Sequence, residues 1–444
     1  MYFWLYKISK TKIRTQTTKL NIMKLKLTLL LLLSYACVNA QQLKGIIGQD
    51  NWINNWTNFK PATTEYNEAT TILTGIISSD MVLKRTNTYV MIGVVYITNK
   101  ATLTIEAGTV IRGDKQTCGT LVITKGSKIM AEGNETAPII FTSNSVALSR
   151  KPGDWGGIVI LGDAPINKIG GIAFLDFNLN PEVSYYGGAN EEDNSGILKF
   201  VRIEYSGRKL KEQKELNGLS LAGVGNKTTL ENIQISFSND DSFECYGGKT
   251  TLSNIISYRS TDDDFDFTQG AQAKISNSIA IRDPFSSDVA GSRCFEIDNY
   301  DKIENCDVTK KATSITANNI TLLNTQENNQ GLVKEAIYIK DKSFLTLINS
   351  VIHGFSAVAI LDSKIGYISE NLNRVSFSGV IANNCSAKII SEVPENNVEI
   401  ANWYNKPSYG LEYLTIPALD FFIQPSLKKA PDFRLRFYTN LASK

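Results

Sequence analysis

The stretch NIQISFSNDDSFECYGG (residues 232–248) is followed, at a spacing of 22, by NIISYRSTDDDFDFTQG (254–270). A third copy opens 23 residues later as NSIAIRDPF (277–285) and resumes after a short insertion as CFEIDN (294–299). Each copy begins with Asn, at 232, 254 and 277. In the first two copies an Asp stands eight residues on, at 240 and 262. The pair Phe243-Glu244 matches Phe265-Asp266, and both resemble Phe295-Glu296. Self-similarity at a fixed period of this length marks a repeat architecture.

Similar short runs extend in both directions. LTIEAGTVIRG (103–113), LVITKGSKIMAEG (121–133) and GGIVILGDAPIN (156–167) precede the block, and FLTLINSVIHGF (344–355) and AVAILDSKIGYI (357–368) follow it. They are rich in Ile, Val, Thr and Leu and punctuated by Gly, Asn and Asp, so they read as strands. Strands at this period, with no crossover helices between them, cannot build a βαβ sheet. They can wind as a solenoid in which each repeat is one coil of a single-stranded parallel β-helix. Coils then stack at the interstrand spacing of about 4.8 Å. Phe243, Phe265 and Phe295 should stack inside, with Cys245, Phe267 and Ile297 two residues on. Glu244, Asp266 and Glu296 should point outward. Asn232, Asn254 and Asn277 should form an amide ladder. The phase is less regular just after the Asn residues, where Ile233-Ile235-Phe237 alternates differently from Ile279-Ile281. A bulge or a slipped boundary is expected there.

The ends differ from the body. Residues 23–40 run from a basic start (Met23, Lys24, Lys26) through Leu29–Leu33 to Val38-Asn39-Ala40, the pattern of a secretory signal peptide. The translation start is Met1 or Met23. The apolar run is too short to span a membrane, which takes about 20 residues. Cys37 would be lipidated in a lipoprotein, but Tyr35 makes a poor approach to it. Residues 41–88 lack the repeat and read as a cap on the N-terminal edge, which a solenoid must cover. Residues 89–385 form the β-helix. Residues 386–444, with Trp403, Tyr404, Tyr409, Tyr413 and five Pro, read as an irregular C-terminal cap and tail, their aromatics either capping or offering a carbohydrate platform.

The 444-residue chain has a formal charge of +2, but residues 1–40 hold seven Lys/Arg and no Asp/Glu. Without them, 39 basic residues face 44 acidic ones. A mildly acidic exported chain is no partner for nucleic acid. The single His, His353, excludes a His/His metal site and reads as structural. Five Cys outside the leader fit no zinc spacing and read as buried thiols. Trp155, in GDWGG, is either a sugar-stacking ring or a packed corner residue.

LTIEAGTVIRG, GDWGGIVILGDAPIN, GLSLAGVG, DDSFE and DDDFD resemble a family of secreted or surface β-helix proteins of Bacteroidetes-type bacteria, with lipoprotein relatives in spirochaetes. The family lies within the pectin-lyase-like superfamily of right-handed parallel β-helices, and the resemblance covers roughly residues 89–300. It implies the fold, whereas the superfamily hosts lyases, hydrolases, adhesins and scaffolds.

The candidate site is the acidic cluster Asp240, Asp241, Glu244, Asp262, Asp263, Asp264 and Asp266, with Glu296 and Asp298 one coil on. Stacked coils place like charges about 5 Å apart, where two repel by about 3 kcal/mol at an effective dielectric near 20. Relief comes from a bound cation, for which Ca²⁺ has the right preference for hard oxygens, from a basic partner, or from raised carboxylate pKa values. Arg259 and Arg282, each five residues past its Asn, are the basic candidates. A solvated or ion-paired ladder is the structural alternative. Pectate-lyase-like chemistry would put Ca²⁺ on the acids and use Arg259 or Arg282 as base. The leading expectation is non-enzymatic binding of a glycan or cell-surface component by an exported protein, at the cell surface, outside the cell or in the periplasm. The alternatives are a Ca²⁺-assisted polyuronate lyase and a purely structural envelope protein.

Overall fold

The computed structural model describes Lys26 and residues 43–175, 177–211, 214–300, 302–325 and 331–436. The signal-peptide and Cys37 readings therefore lie outside the described residues. From Thr71 onward the chain winds as a right-handed parallel β-helix, with 28 strands joined in one continuous parallel sheet. Each coil contributes three strands. In the central coil these are Phe243–Tyr246, then the two halves of Thr251–Tyr258, which bend at Asn254. The next coil stacks Phe265–Thr268 on Phe243–Tyr246 in register.

The bend explains the Asn repeat. Asn232, Asn254 and Asn277 have φ of 53°, 55° and 48°, the left-handed region that Asn tolerates better than other non-glycine residues. Each turns the chain between two faces without a loop. Asn277 Nδ2 donates to Asn254 Oδ1 at 2.8 Å, and Asn254 Nδ2 to Asn232 Oδ1 at 3.5 Å, so the amide ladder exists. The aromatic ladder exists as well. Phe243, Phe265 and Phe295 are fully buried, with ring centroids 5.6 and 5.2 Å apart.

The expected bulge or slip after the Asn residues is corrected. Ile279 pairs with Ile256, which pairs with Gln234, so register is held. The alternation looks broken because outward positions there are apolar too. Ile256, Tyr258, Ile279, Ile281, Leu323 and Val351 form a second apolar cluster with Ile46, Ile53, Trp56, Phe421 and Phe433. The segments before and after the coils both lie on this flank.

That placement also corrects the N-terminal cap. Parallel pairing begins at Thr71, with Thr71–Ile77 against Thr88–Ile97, inside the range read as cap. Residues 45–67 form a strap along the flank instead. Gly45 N–H donates to Asn349 O, Ile46 N–H to Thr321 Oγ1, Ile47 N–H to Asn277 Oδ1 and Asn58 N–H to Gln234 Oε1. Tyr66 then reaches Glu204, and Asn67 O accepts from Arg112. The strap thus runs back along the stack from late coils to early ones. Its physical cause is the apolar flank, which had to be covered. At the other end the helix Asn397–Tyr404 places Ile400 and Tyr404 in the main core, and Tyr404 donates to Leu372 O. Tyr404 is thus a capping residue rather than a platform. No helix among the described residues is long and apolar enough to cross a membrane.

Candidate functional site

Phe243–Tyr246, Phe265–Thr268, Phe295–Ile297 and Glu335–Ile339 are neighbours on one face. Alternation buries Phe243, Cys245, Phe265, Phe267, Phe295 and Ile297 and turns Glu244, Asp266, Glu296 and Tyr338 outward. In earlier coils the same outer face is covered: Val122, Val159 and Ala222 pack under Ile166, Leu175 and Tyr186 from the excursion after residue 161. The acidic face begins where that cover stops.

The turn entering these strands brings in the remaining acids. Asp241 Oδ1 accepts from Asp263 N–H at 2.9 Å, and Asp263 Oδ1 accepts from Arg293 N–H. Asp241, Asp262, Asp263, Asp266 and Glu296 line a cavity of about 310 Å³, closed by Gly291, Arg293, Tyr338 and Lys340. Two groups of carboxylate oxygens each lie within 4.8 Å of one another: Asp240–Asp241–Asp262 and Asp241–Glu244–Asp266. Asp266 Oδ1 is buried and accepts no hydrogen bond.

Burial and mutual repulsion raise the pKa values across the cluster. Burial, then the Asp262 charge, lifts Asp240 well above the carboxylate range, and burial with Asp240 does the same to Asp241. Asp263 and Asp266 are raised in the same way, with Glu296 and Glu244 the leading neighbouring charges. Burial pushes Glu244 up to about 8, against hydrogen bonds from Tyr246 and Asn217 that favour its charged form. Asp262 is raised to about 7 and Asp298 to about 6, each mainly by burial.

Not every predicted residue faces this cavity. Asp264 is fully buried and its Oδ2 lies 3.4 Å from Arg282 Nη1, with Arg282 equally buried. Arg282 also donates to Ser260 Oγ and to backbone carbonyls, so it ties the interior of the turn and offers no exposed base. Arg259 sits over the Tyr258 ring and lies 3.6 Å from Asp283. Glu296 is bonded to Lys340, whose pKa is raised chiefly by that carboxylate against the cost of burial. Arg293, Tyr338 and Lys340 were not predicted. Arg293 donates to Glu335 at 3.3 Å and stacks 4.8 Å from the Tyr338 ring centre. The signal for Tyr338 and Lys340 was IYIK (337–340), which repeats the alternation of FEID (295–298).

The other candidates resolve as structure. Trp155 is fully buried and its Nε1 donates to Glu204 O at 2.8 Å. His353 is buried beside Phe421 and Phe422, with Nδ1 2.9 Å from Asn383 Nδ2, and burial lowers its pKa to about 4. Cys118, Cys245, Cys294, Cys306 and Cys385 form no disulfide, and burial raises the Cys245 thiol to about 12.

The family model described as a pectate-lyase-like β-helix domain matches residues 75–407. A structure search finds similarity to the catalytic domain of a GH87 α-1,3-glucanase in complex with tetrasaccharides. The identity is 11% and the TM-score 0.26, over 85% of this chain and 69% of that one. No curated protein matches the sequence.

Proposed function

The chain belongs to the pectate-lyase-like β-helix family, and from that premise we propose that it is an exported protein that binds polysaccharide through a divalent cation held on its acidic face. The observation that carries this reading is the pair of carboxylate groups sharing Asp241, whose oxygens lie within 4.8 Å in each group. The residues fit such an ion. All the donors are hard oxygens, which suits Ca²⁺ with its six to eight oxygen ligands, and the unpartnered Asp266 Oδ1 is an oxygen that a cation satisfies. Asp241, Glu244 and Asp266 would hold it, with Asp240 and Asp262 extending the site. Asn217 and Tyr246 orient Glu244, and the Asp263 N–H orients Asp241. When bound, the ion supplies charge neutralisation and open positions for saccharide oxygens.

Binding is favoured over cleavage. A polyuronate lyase needs an accessible base near its cation. Arg282 is fully buried on Asp264, and Glu296 keeps Lys340 protonated. The test is a panel of acidic and neutral polysaccharides with the full chain, with Ca²⁺ or chelator, reading retention, new reducing ends and unsaturated-uronate absorbance. The expected result is retention that Ca²⁺ strengthens, without new ends, the Ca²⁺-dependent part being lost in Asp241→Asn. Ca²⁺-dependent unsaturated ends would replace this reading with a lyase. No binding by folded protein in either condition would overturn it and leave a structural envelope role.

A further inference from the structure

On the opposite side of the same strands, where the chain turns from Phe243–Tyr246 into Thr251–Tyr258, the charge reverses. Two cavities of about 390 and 370 Å³ lie there and share Asn167 and Lys310 as lining residues. Both volumes fall in the range of small-ligand pockets, about 300–1,000 Å³. Lys249, Lys310 and Lys311 line the first, and Lys310, Lys342, Lys364 and Arg374 the second, against only Glu191 and Asp341. Glu191 is shared between Lys249 at 2.6 Å and Lys311 at 2.9 Å, which lower its pKa to about 2. Asp341 is held by Lys364 at 2.6 Å. Lys310 donates to Ile166 O at 3.3 Å. Neither Lys310 nor Lys342 has a carboxylate within ion-pair distance among the described residues. Arg374 is paired with Glu370 at 3.3 Å, so six cations face three anions.

A second observation points to a ligand. Asn167 is 2% exposed, and its Nδ2 donates to Asn299 O at 2.7 Å. Asn167 lines both cavities, and its Oδ1 is buried without a hydrogen-bond partner. A buried acceptor left unsatisfied costs roughly 1–3 kcal/mol, and a hydroxyl donating to it would satisfy it. The floor is kept low by Gly248 and Gly270, both at φ 79°. A Cβ on Gly248 would come within 2.4 Å of Val224 O, and one on Gly270 within 2.7 Å of Lys311 O.

We propose that this basic double cavity is a binding site for an anionic oligosaccharide, with carboxylate or sulfate groups on Lys310 and Lys342 and a sugar hydroxyl on Asn167 Oδ1. The ligand is a saccharide rather than nucleic acid for a reason of range. The chain without its leader is acidic overall and repels a long polyanion, whereas a short saccharide meets only the local field. The site is separate from the cation site and does not depend on it.

The test is calorimetric titration of the full chain, at low salt and in chelator, with an oligogalacturonate, a heparin tetrasaccharide, a neutral glucan tetrasaccharide and a long duplex DNA. At least one of the two anionic saccharides should bind, and the one that does identifies carboxylate or sulfate as the group recognised. The glucan and the DNA should not. The double substitution Lys310→Gln and Lys342→Gln should weaken binding about tenfold or more. Both lysines lie outside the core, so folding can be confirmed from an unchanged melting profile. Absence of binding to either anionic saccharide, equal binding of the neutral glucan or the DNA, or indifference to the lysine substitutions would each overturn the proposal. Chelator separates this outcome from failure of the cation reading, which is tested in Ca²⁺.

Discussion

The acidic face should make the protein less stable as pH rises through neutrality, and a cation should remove most of that loss. Glu244 titrates at about 8 in the fold against 4.5 ordinarily. A carboxylate raised in the folded state binds its proton more tightly there than in the unfolded chain. Its contribution to stability is therefore full below the ordinary range and is lost as pH climbs through the folded value. Between about pH 6.5 and pH 8 this linkage amounts to about 1.5 kcal/mol for Glu244 alone. The window is chosen to avoid His353, which is depressed to about 4 and whose opposite effect ends near its ordinary value of 6.5. Urea denaturation of the full chain in chelator, at both ends of the window, should show the loss. Saturating Ca²⁺ should reduce it, since ligand at about 100 times its dissociation constant stabilises by about 2.7 kcal/mol. Glu244→Gln keeps an acceptor for Tyr246 and Asn217 and should flatten the chelator profile by about the linkage amount. A flat or rising chelator profile in wild type, or a slope unchanged in Glu244→Gln, would refute the reasoning.

Other substitutions probe the frame. Arg282→Met strands the fully buried Asp264 and should cost about 3–5 kcal/mol, read by urea denaturation, while calcium binding in the cold persists. Asn254→Ala puts a residue without Asn's tolerance of the left-handed region at φ 55° and removes two ladder hydrogen bonds, so a loss of about 1–2 kcal/mol is expected. Asn254→Gly should lose less, because the backbone strain is gone. Trp56→Ala empties a fully buried site on the flank and should cost about 3–5 kcal/mol. Limited proteolysis should then cut first within residues 44–70.

The coils were legible because a parallel stack repeats its environment. The Asn turn, the Phe ladder and the outward acids each recur at one offset, so a single strand's phase carried over to its neighbours. Membership of the acidic face was legible for the same reason. The direction of Asp264 and Arg282 was not. Both lie in the turn, where side chains no longer alternate, and each found its partner inside. Arg293 was hidden by the insertion after Arg282, which displaces it from the repeat. The strap was illegible because its partners lie from 45 to more than 270 residues away and no periodicity links them, as in the bond from Ile46 to Thr321. The one trace it left, apolar residues at Ile256 and Ile279 where polar ones belong, looked like an error of phase.

That strap changes what kind of object the solenoid is. A bare stack of coils is held only by nearest neighbours and can unwind one turn at a time from either tip. Here Phe421 and Phe433, from beyond the last coil, share one apolar cluster with Ile53 and Trp56, from before the first. A tension applied at the two ends would act along the flank and load many hydrogen bonds in parallel, from Asn349 to Gln234, before any coil could peel. The fold is built to resist shear, as a lashed bundle does, rather than to unzip.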